Sequence, residues 1–381
     1  MKKKMHLLPD NIICFSHLRW DFVFQRPQHL LSRFTEASNV WFFEEPIFDA
    51  TDHNYLQTKS KRKKLTIIIP HLVPGMDQKG IDQAQALLLK KLLEGLNLQE
   101  CIFWYFTPMA LKFSENFKPK LVVYDCMDEL SAFKFAPMDL VSLEKKLMAK
   151  ADVVFTGGNS LYQVKKDQHT NIYPFPSGID KKHFIKARKK LEEPADQAVI
   201  EGVKIGYYGV IDERFDLNLI EKMAVERPDW QFILIGPVVK IDQDSLPRNP
   251  NIHYLGQKSY QDLPKYLAHW QIALIPFLIN ESTKYISPTK TPEYLSAGVP
   301  VISTRIRDVI NPYGLKKLVS ICSGKAAFLG AIDAELNRES KDAWLKEVDQ
   351  FLGGISWDNC YQLMKMKIIE TMNLNKVSIA S

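Results

Sequence analysis

The sequence predicts an α/β protein with two domains, each built on an open parallel sheet that is covered by helices. At 381 residues the chain is too long for one ordinary hydrophobic core, and its length favours two domains of roughly 150 to 200 residues. Short apolar runs alternate with longer amphipathic ones, as in parallel strands joined by crossover helices. Residues 171–198 are rich in proline, glycine and charge, and they mark the domain boundary.

The first half of the chain shows this alternation clearly. Proline fits the first turn of a helix, so Pro27 is expected to start one with an apolar side. Leucines at helical spacing predict a helix over residues 81–96, and another is expected over 140–150. The predicted strands occupy residues 11–16, 39–44, 65–69, 101–106, 121–124 and 153–156.

The second half repeats the pattern. Helices are expected over residues 216–226 and 260–269, and a third is expected to begin near Thr289. The tail over 342–372 is mostly amphipathic helix, interrupted at Gly353-Gly354 and restarting near Ser356. The predicted strands occupy residues 204–208, 231–235, 252–255, 272–276 and 299–303.

These elements divide into a first domain over residues 1–178, a second over 179–355 and a final helix over 356–381. Tandem open α/β domains bind ligands at the carboxyl ends of their strands, in the cleft between the domains. The loops that follow strands are therefore the expected location of functional residues.

The charge of the chain limits its partners. A net charge of +6 suits anionic ligands or transient contact with an acidic membrane surface, and it is too small for a nucleic-acid binder. The basic run KSKRKK, residues 59–64, is expected to be an exposed loop, with contact to anionic lipid as the alternative.

Several features predict a cytoplasmic protein. Polar residues interrupt the N-terminus before any apolar run of secretory length, so we expect no signal peptide. No apolar stretch reaches the ~20 residues that a membrane span needs. The five cysteines are odd in number and form no CxxC pair, as expected of reduced core residues: Cys14, Cys101, Cys126, Cys322 and Cys360.

The stretch SPTKTPEYLSAG, residues 287–298, has the features of a phosphate site. Ser287 and Thr289 flank a proline and can cap a helix that begins there. The N-terminus of a helix attracts anions, and Lys290 adds a full positive charge. Glu293 lies on nearly the same helix face as Lys290, where it could accept hydrogen bonds from sugar hydroxyls.

A second phosphate-binding loop is expected after the strand over residues 204–208. Gly209 lets the backbone approach a phosphate closely, and Arg214 could form a forked contact with diphosphate oxygens. The alternative is a surface loop in which Arg214 pairs with Asp212 or Asp216. This loop and the 287–298 stretch should converge on one crevice.

Carboxylates follow a strand of the first domain, in YDCMDE over residues 124–129. They suit a general base or contacts to a hydroxylated substrate. We expect Asp128 to act chemically, because Asp125 is closer to the strand. Asp125 is predicted to contact the acceptor, with capping of the following turn as the alternative.

The first-domain loop HLRWDFVFQRPQHL combines an aromatic ring with polar side chains that can form bidentate hydrogen bonds. This combination suits a sugar or lipid-phosphate acceptor. For His29 the alternative is a helix residue that faces Glu44 or Glu45. The predicted acceptor contacts in this loop are Arg19, Trp20, Arg26, Gln28 and His29.

Several motifs are missing from the sequence. HExxH, CxxC pairs and dense carboxylate clusters do not occur, so no bound metal is expected. Neither GxGxxG after the first strand nor GxxxxGK[ST] is present, which argues against nicotinamide, flavin and P-loop chemistry.

The order of motifs resembles the nucleotide-sugar glycosyltransferases of the GT-B fold, in which two Rossmann-like domains face each other across a cleft. The likeness is strongest to the group 1 (family four, retaining) branch and its bacterial teichuronic-acid and capsule relatives. It spans the chain from Asn11 to Asn359. The motifs that carry it are SGID with Phe184, IGYYGVIDERFD, FILIGP, NIHYLGQKSYQDLPKYL, SPTKTPEYLSAGVPVIST and SWDN.

The resemblance implies roles for individual residues. Glu293 should bind the ribose of the sugar donor, and Lys290 with the amides near Ser287 and Thr289 should hold its diphosphate. Arg214 or Gly209 should assist there. Gln257 should border the base, and the last helix should cross back to the first domain.

One departure from the family pattern concerns mechanism. The family often has two glutamates separated by seven residues, and here Tyr285 stands at the first position while Glu293 occupies the second. Relatives of the SPxK type share this loss, and in them an aspartate of the first domain is implied to act as base. Asp128 is therefore the expected catalytic residue, and the stereochemical outcome is left open.

The resulting hypothesis is a metal-independent hexosyltransferase without a bound cofactor. It would move a sugar from a nucleoside diphosphate, expected to be UDP, to a polysaccharide or lipid-linked acceptor of the bacterial cell surface. The expected location is the cytoplasm, with peripheral contact at the inner face of the membrane left open. The alternatives are a nucleotide-sugar epimerase of the same fold and a non-catalytic nucleotide-sugar-binding partner.

Overall fold

The computed structural model describes residues 8–380, with side chains to residue 375. The chain forms two compact units. The first comprises residues 8–131, Phe135–Pro176 and 358–380, and the second Ala132–Lys134 and Ser177–Trp357. The basic N-terminal residues 1–7, where no signal peptide is expected, lie outside the described residues.

The first unit contains an eight-stranded sheet in the order β3-β4-β2-β1-β5-β6-β7-β8. All neighbouring strands are parallel except β3 and β4. The strands are β1 (Asn11–Phe15), β2 (Asn39–Phe43), β3 (Tyr55–Arg62), β4 (Leu65–His71), β5 (Cys101–Tyr105), β6 (Leu121–Cys126), β7 (Val153–Thr156) and β8 (Ile172–Pro174). The helices are α1 (Arg26–Phe34), α2 (Gln78–Leu93), α3 (Leu111–Ser114), α4 (Leu140–Lys150) and α5 (Asn159–Lys165).

Burial explains the apolar runs of this sheet. Every residue of β1, β5, β6 and β7 is buried, because helices cover both faces of a parallel sheet. The predicted parallel sheet and its crossover helices are therefore confirmed.

The basic run at residues 59–64 differs from the prediction of a loop. Its first four residues belong to β3, which pairs antiparallel with β4 at the edge of the sheet. This strand is largely exposed, so its sequence shows no buried face. Charged side chains on an edge strand discourage pairing with a second chain, which gives the lysines a physical function there.

The second unit contains a six-stranded parallel sheet in the order β11-β10-β9-β12-β13-β14. Its strands are β9 (Val203–Tyr208), β10 (Trp230–Ile235), β11 (Ile252–Gly256), β12 (Ile272–Ile275), β13 (Val301–Ser303) and β14 (Val319–Ile321). Its helices are α6 (Lys181–Phe184), α7 (Ala195–Ala198), α8 (Leu217–Glu226), α9 (Leu263–Leu267), α10 (Lys290–Ser296), α11 (Arg307–Val309), α12 (Gly324–Leu336) and α13 (Asp342–Phe351).

Two short strands were missed from the sequence. β8 lies in the stretch that we expected to be a linker, and β14 follows a polar segment. Each has three residues, too few to show a period. The helix expected over 260–269 is shorter than predicted, since α9 has five residues.

The last helix, α14 (Trp357–Ala380), belongs to the first unit from residue 358 onward, which confirms the predicted crossing. Arg33 on α1 pairs with Asp358 at 2.6 Å, and Phe34 packs edge-on against Tyr361 at 4.9 Å. The domain boundaries that we placed after residues 178 and 355 stay predictions.

The cysteines and the helices bear on the predicted compartment. All five cysteines are buried and free of disulfides, as expected of core residues. Among the described residues, none of the helices combines the length and apolar character that crossing a membrane requires.

Candidate functional site

Three strand ends of the second unit meet at one edge of its sheet. The amide of Gly209, just after β9, donates to the Ile235 carbonyl at 2.8 Å, and the amide of Gly236 donates to the Gly256 carbonyl at 2.9 Å. Gly209 and Gly236 both have φ of 141°, which disfavours any residue with a side chain. A Cβ on Gly236 would lie 1.9 Å from the Gly209 carbonyl oxygen, so these backbones are in direct contact.

Lys290 lies against Gly209. A Cβ on residue 209 would stand 2.1 Å from Cε of Lys290 and 2.7 Å from its Nζ. The Lys290 ammonium also lies 5.8 Å from the centre of the Tyr207 ring. The structure thus confirms the predicted convergence of the loop after β9 and the start of α10.

Glu293 lies one turn after Lys290 and is 5% exposed. Its carboxylate accepts a hydrogen bond of 2.5 Å from the Tyr208 hydroxyl. Burial raises the pKa of Glu293 to about 7, although the Tyr208 hydrogen bond and the Lys290 charge act to lower it. This arrangement places a carboxylate and an ammonium group beside a bare stretch of backbone, a combination that suits a ligand with both hydroxyl and phosphate groups.

The start of α10 differs from the prediction in one respect. Thr289 is the residue before the helix, as expected, but its backbone is already helical and its side chain makes no capping hydrogen bond. The amide of Thr291 instead donates to the Pro288 carbonyl at 3.2 Å. The predicted cap by Thr289 is therefore wrong. Ser287 and Thr289 are both half-buried at the helix start.

Arg214 forms a forked ion pair with Asp212, which is the alternative that the sequence left open. Nε of Arg214 lies 3.0 Å from Oδ1 of Asp212, and Nη2 lies 2.6 Å from Oδ2. The loop is further tied down because the Leu278 amide donates to the Arg214 carbonyl at 2.8 Å. A direct contact between Arg214 and a phosphate stays a prediction. Gln257, predicted to border a base, is exposed just after β11.

In the first unit, Arg26 and Asp125 form an ion pair that is 3% and 0% exposed. Nη2 of Arg26 lies 2.8 Å from Oδ1 of Asp125, and Nη1 donates to the Phe175 carbonyl at 2.7 Å. The pair therefore ties α1 to β6. The ion pair has a structural role, whereas the sequence suggested that both residues contact the acceptor. A direct contact of Arg26 or Asp125 with an acceptor would require the ion pair to open, and such a contact stays a prediction.

Asp128 lies half-buried in the turn after β6, where its carbonyl accepts a hydrogen bond of 3.1 Å from the Leu130 amide. Burial lowers the pKa of Arg26, but the neighbouring carboxylates, Asp128 among them, raise it overall. Asp128 is thus close enough to the buried ion pair to interact with it electrostatically.

A three-membered charge cluster fixes the turn that carries Asp128. The Lys165 ammonium, 4% exposed, lies 2.8 Å from Glu129 and 2.7 Å from Glu144. Glu144 also accepts a hydrogen bond of 2.9 Å from the Tyr124 hydroxyl at the end of β6. This cluster was missed from the sequence, because its members lie on α5, α4 and the turn and only the fold brings them together.

The other predicted acceptor residues surround Glu44. Arg19 pairs with the Glu44 carboxylate at 3.1 Å, and the Trp20 amide donates to it at 2.8 Å. The Gln28 carboxamide donates to the Trp20 carbonyl at 2.7 Å. His29 is 3% exposed and packs edge-on against the Phe24 ring. The loop is therefore internally ordered, and contact with an acceptor stays a prediction.

Two further observations bear on chemistry. In the described part of the chain, no group of three or more His, Cys, Asp or Glu side chains is arranged to hold a metal ion. Tyr285, which replaces the first glutamate of the family pattern, has the Arg307 guanidinium 5.6 Å from its ring centre.

Sequence reasoning also missed partners of the predicted site. Tyr208 holds Glu293, and Gly236 abuts Gly209. Both end a strand, and that position is the signal that could have identified them. Glu213 has both carboxylate oxygens buried without a hydrogen-bond partner among the described residues, and no sequence pattern indicated this.

Comparison with known proteins agrees with this geometry. Residues 205–337 match the family described as glycosyl transferases group 1, and the match includes Gly209, Lys290 and Glu293. The protein TuaH of Bacillus subtilis (strain 168), named as a teichuronic acid biosynthesis glycosyltransferase, is 24% identical over 226 residues. That alignment covers 55% of this chain and 57% of TuaH, so the chain matches little more than half the length of this relative.

Solved structures share the architecture over nearly the whole chain. Sucrose-phosphate synthase from Thermosynechococcus elongatus has a TM-score of 0.73 at 13% identity, covering 98% of this chain and 100% of that one. An E. coli structure titled trehalose-6-phosphate, bound with UDP-2-fluoro glucose, has a TM-score of 0.69 at 13% identity, covering 95% and 99%. Anabaena HepE in complex with UDP and glucose has a TM-score of 0.68 at 13% identity, covering 94% and 99%.

The likeness to these structures shows the fold, and the family match lies on the unit that carries Gly209, Lys290 and Glu293. Residues 205–337 of the chain thus form a domain of the group 1 glycosyltransferase family, and the whole chain has the GT-B fold of these solved structures.

Proposed function

We propose that the protein is a hexosyltransferase that moves a sugar from a UDP-sugar to a polysaccharide or lipid-linked acceptor in cell-surface glycan synthesis. The observation that carries this proposal is the position of Lys290 against the bare backbone of Gly209, with Glu293 one turn away. UDP or a UDP-sugar is present in two of the similar structures, and TuaH is named for teichuronic acid biosynthesis.

The proposed donor site assigns each group a task. The Gly209 backbone and the Lys290 ammonium bind the diphosphate, since a charge-assisted contact to phosphate is stronger than a neutral one. Glu293 accepts hydrogen bonds from the ribose hydroxyls, and its bond from Tyr208 fixes its orientation. Ser287 and Thr289 contribute to the phosphate site, Arg214 reaches a phosphate oxygen, and Gln257 borders the base.

The proposed reaction forms a glycosidic bond as the bond between the anomeric carbon and UDP breaks. The acceptor hydroxyl supplies the new oxygen, its proton passes to Asp128, and UDP leaves with the bonding electron pair. Lys290 and Arg214 stabilise the negative charge that develops on the diphosphate. Removing one such group from a preorganised site costs about 10²-fold or more in rate. The proposal needs no bound metal.

The acceptor is proposed to contact the first unit through the loop that carries Arg19, Trp20, Gln28 and His29. Arg26 and Asp125 support that loop through their ion pair. The proposed setting is the cytoplasm, at the inner face of the membrane where lipid-linked acceptors are accessible.

A thermal-shift screen of UDP and a panel of nucleotide sugars tests the donor assignment, because a ligand that binds only the folded state raises its stability. Isothermal titration should then show that Lys290→Ala weakens UDP binding at least about tenfold, the loss expected for one charged hydrogen bond. Lys284→Ala is the matched control, since Lys284 lies in the same loop and pairs with Glu281 at 3.2 Å. Unchanged affinity in Lys290→Ala would remove the role given to that residue.

Turnover assays test the chemistry. Asp128→Asn should lower transfer and keep UDP binding. Asp167→Asn, at an exposed position of the same unit, is the control and should leave both transfer and UDP binding unchanged. Product formed without an acceptor would indicate an epimerase. Donor binding without transfer across an acceptor screen would indicate a binding partner.

A further inference from the structure

Glu213 is a carboxylate of the second unit to which the proposed donor site gives no task. It lies in the loop after β9 that begins with Gly209, and the residue is half-buried. Both of its carboxylate oxygens are buried without a hydrogen-bond partner among the described residues. Acceptors buried in this way cost free energy, and the cost is larger for a carboxylate than for a neutral group. A ligand that donates hydrogen bonds to Glu213 would offset this cost.

The neighbouring charges of the loop are paired with each other. Arg214 follows Glu213 in the chain, but its guanidinium donates to Asp212 from Nε at 3.0 Å and from Nη2 at 2.6 Å. Asp212 also accepts a hydrogen bond of 3.0 Å from the Arg214 amide. The charge of Arg214 is thus held by Asp212, and in the described part of the chain Glu213 keeps its full capacity to accept hydrogen bonds.

Backbone contacts fix the loop of Glu213 between two neighbouring strand ends. Before Glu213, Ile211 pairs with Val238, in the segment that follows β10. After Glu213, Phe215 pairs with Phe277, in the segment that follows β12. Both contacts lie at the carboxyl edge of the parallel sheet, where open α/β domains bind their ligands. Glu213 is therefore held at the same sheet edge as the proposed diphosphate site.

The segment between β12 and α10 carries Tyr285, which stands where the family pattern often has a glutamate. This segment is bonded to the loop of Glu213, because the Leu278 amide donates to the Arg214 carbonyl at 2.8 Å. A tyrosine hydroxyl does not supply the charged acceptor that a carboxylate does. Glu213 can supply that acceptor from the adjacent loop.

The chemistry of a carboxylate selects the part of the donor that it can bind. A carboxylate repels the diphosphate, whereas sugar hydroxyls donate hydrogen bonds to it. The base is proposed to lie near Gln257 after β11, and β10 separates β11 from β9 in the sheet. The loop of Glu213 is instead bonded to the segment after β12, on the other side of β9. The transferred sugar is therefore the part of the donor that suits Glu213.

We infer that Glu213 accepts hydrogen bonds from hydroxyl groups of the hexose in the UDP-sugar, in place of the glutamate that Tyr285 replaces. The inference rests on the proposed function, and it adds a residue that recognises the sugar of the donor and not its nucleotide. It also means that Glu213 lowers the stability of the free protein, since its carboxylate is satisfied only when the hexose is bound.

Isothermal titration of the full chain with UDP, UDP-glucose, UDP-galactose and UDP-N-acetylglucosamine tests the inference. The wild type should bind at least one of the three UDP-sugars. Glu213→Gln and Glu213→Leu should weaken that UDP-sugar at least about tenfold, the loss expected for hydrogen bonds to a charged group. Their affinity for UDP, which has no hexose, should not fall. Glu221→Gln, at an exposed position of α8, is the control and should leave both affinities unchanged.

Urea unfolding of the same variants without ligand gives a second measurement. Both substitutions of Glu213 should raise the urea concentration at the midpoint of unfolding, because they remove a buried charge that has no partner. A structural role of Glu213 would lower that midpoint instead. Glu221→Gln should leave the midpoint unchanged.

Three results would overturn the inference while the proposed function stands: equal affinity of wild type and Glu213→Gln for the UDP-sugar, an equal loss of affinity for UDP and the UDP-sugar, or a lowered urea midpoint in both Glu213 variants. If none of the three UDP-sugars binds the wild type, the proposed donor function is overturned, and the role of Glu213 falls with it.

Discussion

Lys290 lies across Gly209, with its Cε 2.1 Å from the point where a side-chain carbon on residue 209 would stand. Gly209 follows β9 and Lys290 begins α10, so the contact joins two elements that are 81 positions apart in the sequence. The contact exists only because residue 209 has no side chain. It brings a positive charge next to a backbone that a ligand can approach, and it makes the site sensitive to the smallest substitution.

Gly209→Ala should therefore weaken UDP binding at least about tenfold, since a displaced Lys290 loses its charged contact with the diphosphate. The variant should also lose about 1–3 kcal/mol of stability, because φ of 141° is strained for alanine. Isothermal titration and urea unfolding measure the two effects.

Gly330→Ala is the matched control, because a Cβ there meets no atom within 4 Å. Gly330 lies inside α12, so its replacement should raise stability by about 0.5–1 kcal/mol and leave UDP binding unchanged. Normal UDP affinity in Gly209→Ala would show that Lys290 does not have to lie against the backbone of residue 209 in order to bind UDP.

Glu293→Gln should change how stability depends on pH. The folded pKa of Glu293 is about 7, above its ordinary value of 4.5, because the group is buried. Its contribution to stability is therefore fully present below about pH 4.5 and is lost as the pH rises through 7. The difference between these pKa values corresponds to roughly 3 kcal/mol.

Urea unfolding of both proteins at pH 5, 6, 7 and 8 measures this. The unfolding free energy of the wild type should fall relative to that of Glu293→Gln between pH 5 and pH 7 and should level off above pH 7. Curves that stay parallel would show that Glu293 ionises in the folded protein as it does in the unfolded chain.

The ion pair of Arg26 with Asp125 should dominate the stability of the first unit. Arg26→Met leaves a buried carboxylate without its partner, and such a loss costs about 3–5 kcal/mol. Asp125→Leu should be similarly destabilising, whereas the double variant should be far less destabilised than the sum, since it leaves no unpaired charge. Thermal and urea unfolding provide this double-mutant cycle. Additive effects would contradict a structural pair and favour independent acceptor contacts.

The sequence predicts local features of the second unit well, because they are short and contiguous. The strand over Val203–Tyr208, the glycine after it and the helix start near Thr289 each lie within a few residues of their signals. Lys290 and Glu293 share a helix face through their spacing alone. The fold class could be predicted for the same reason, since each strand and helix has its own periodicity.

Contacts between distant residues could not be predicted in this way. Arg26 and Asp125 each appeared to be a polar group in a loop, and only the fold shows that they neutralise each other. The cluster of Lys165 with Glu129 and Glu144 is likewise visible only when α4 and α5 are placed beside the turn after β6. β3 escaped prediction because it is an edge strand without a buried face.

Lys165→Met should reduce catalysis without affecting the sugar-donor site. Lys165 joins Glu129, in the turn of Asp128, to Glu144 on α4, and its removal leaves two carboxylates facing each other. The turn should then shift, and a displacement of about 1 Å at a reacting group can cost 10²-fold in rate. We expect kcat to fall by about one to two orders of magnitude while UDP affinity, which depends on the second unit, stays unchanged.

Lys166→Met is the control for this prediction, because Lys166 directly follows Lys165 in the chain and is exposed. A merely structural role would lower the unfolding temperature and leave kcat intact in the folded fraction, so kcat measured below the transition decides between the two. Lys165→Arg should restore most of the activity, since it keeps the charge between Glu129 and Glu144; equal loss in both variants would argue that the cluster does not position Asp128.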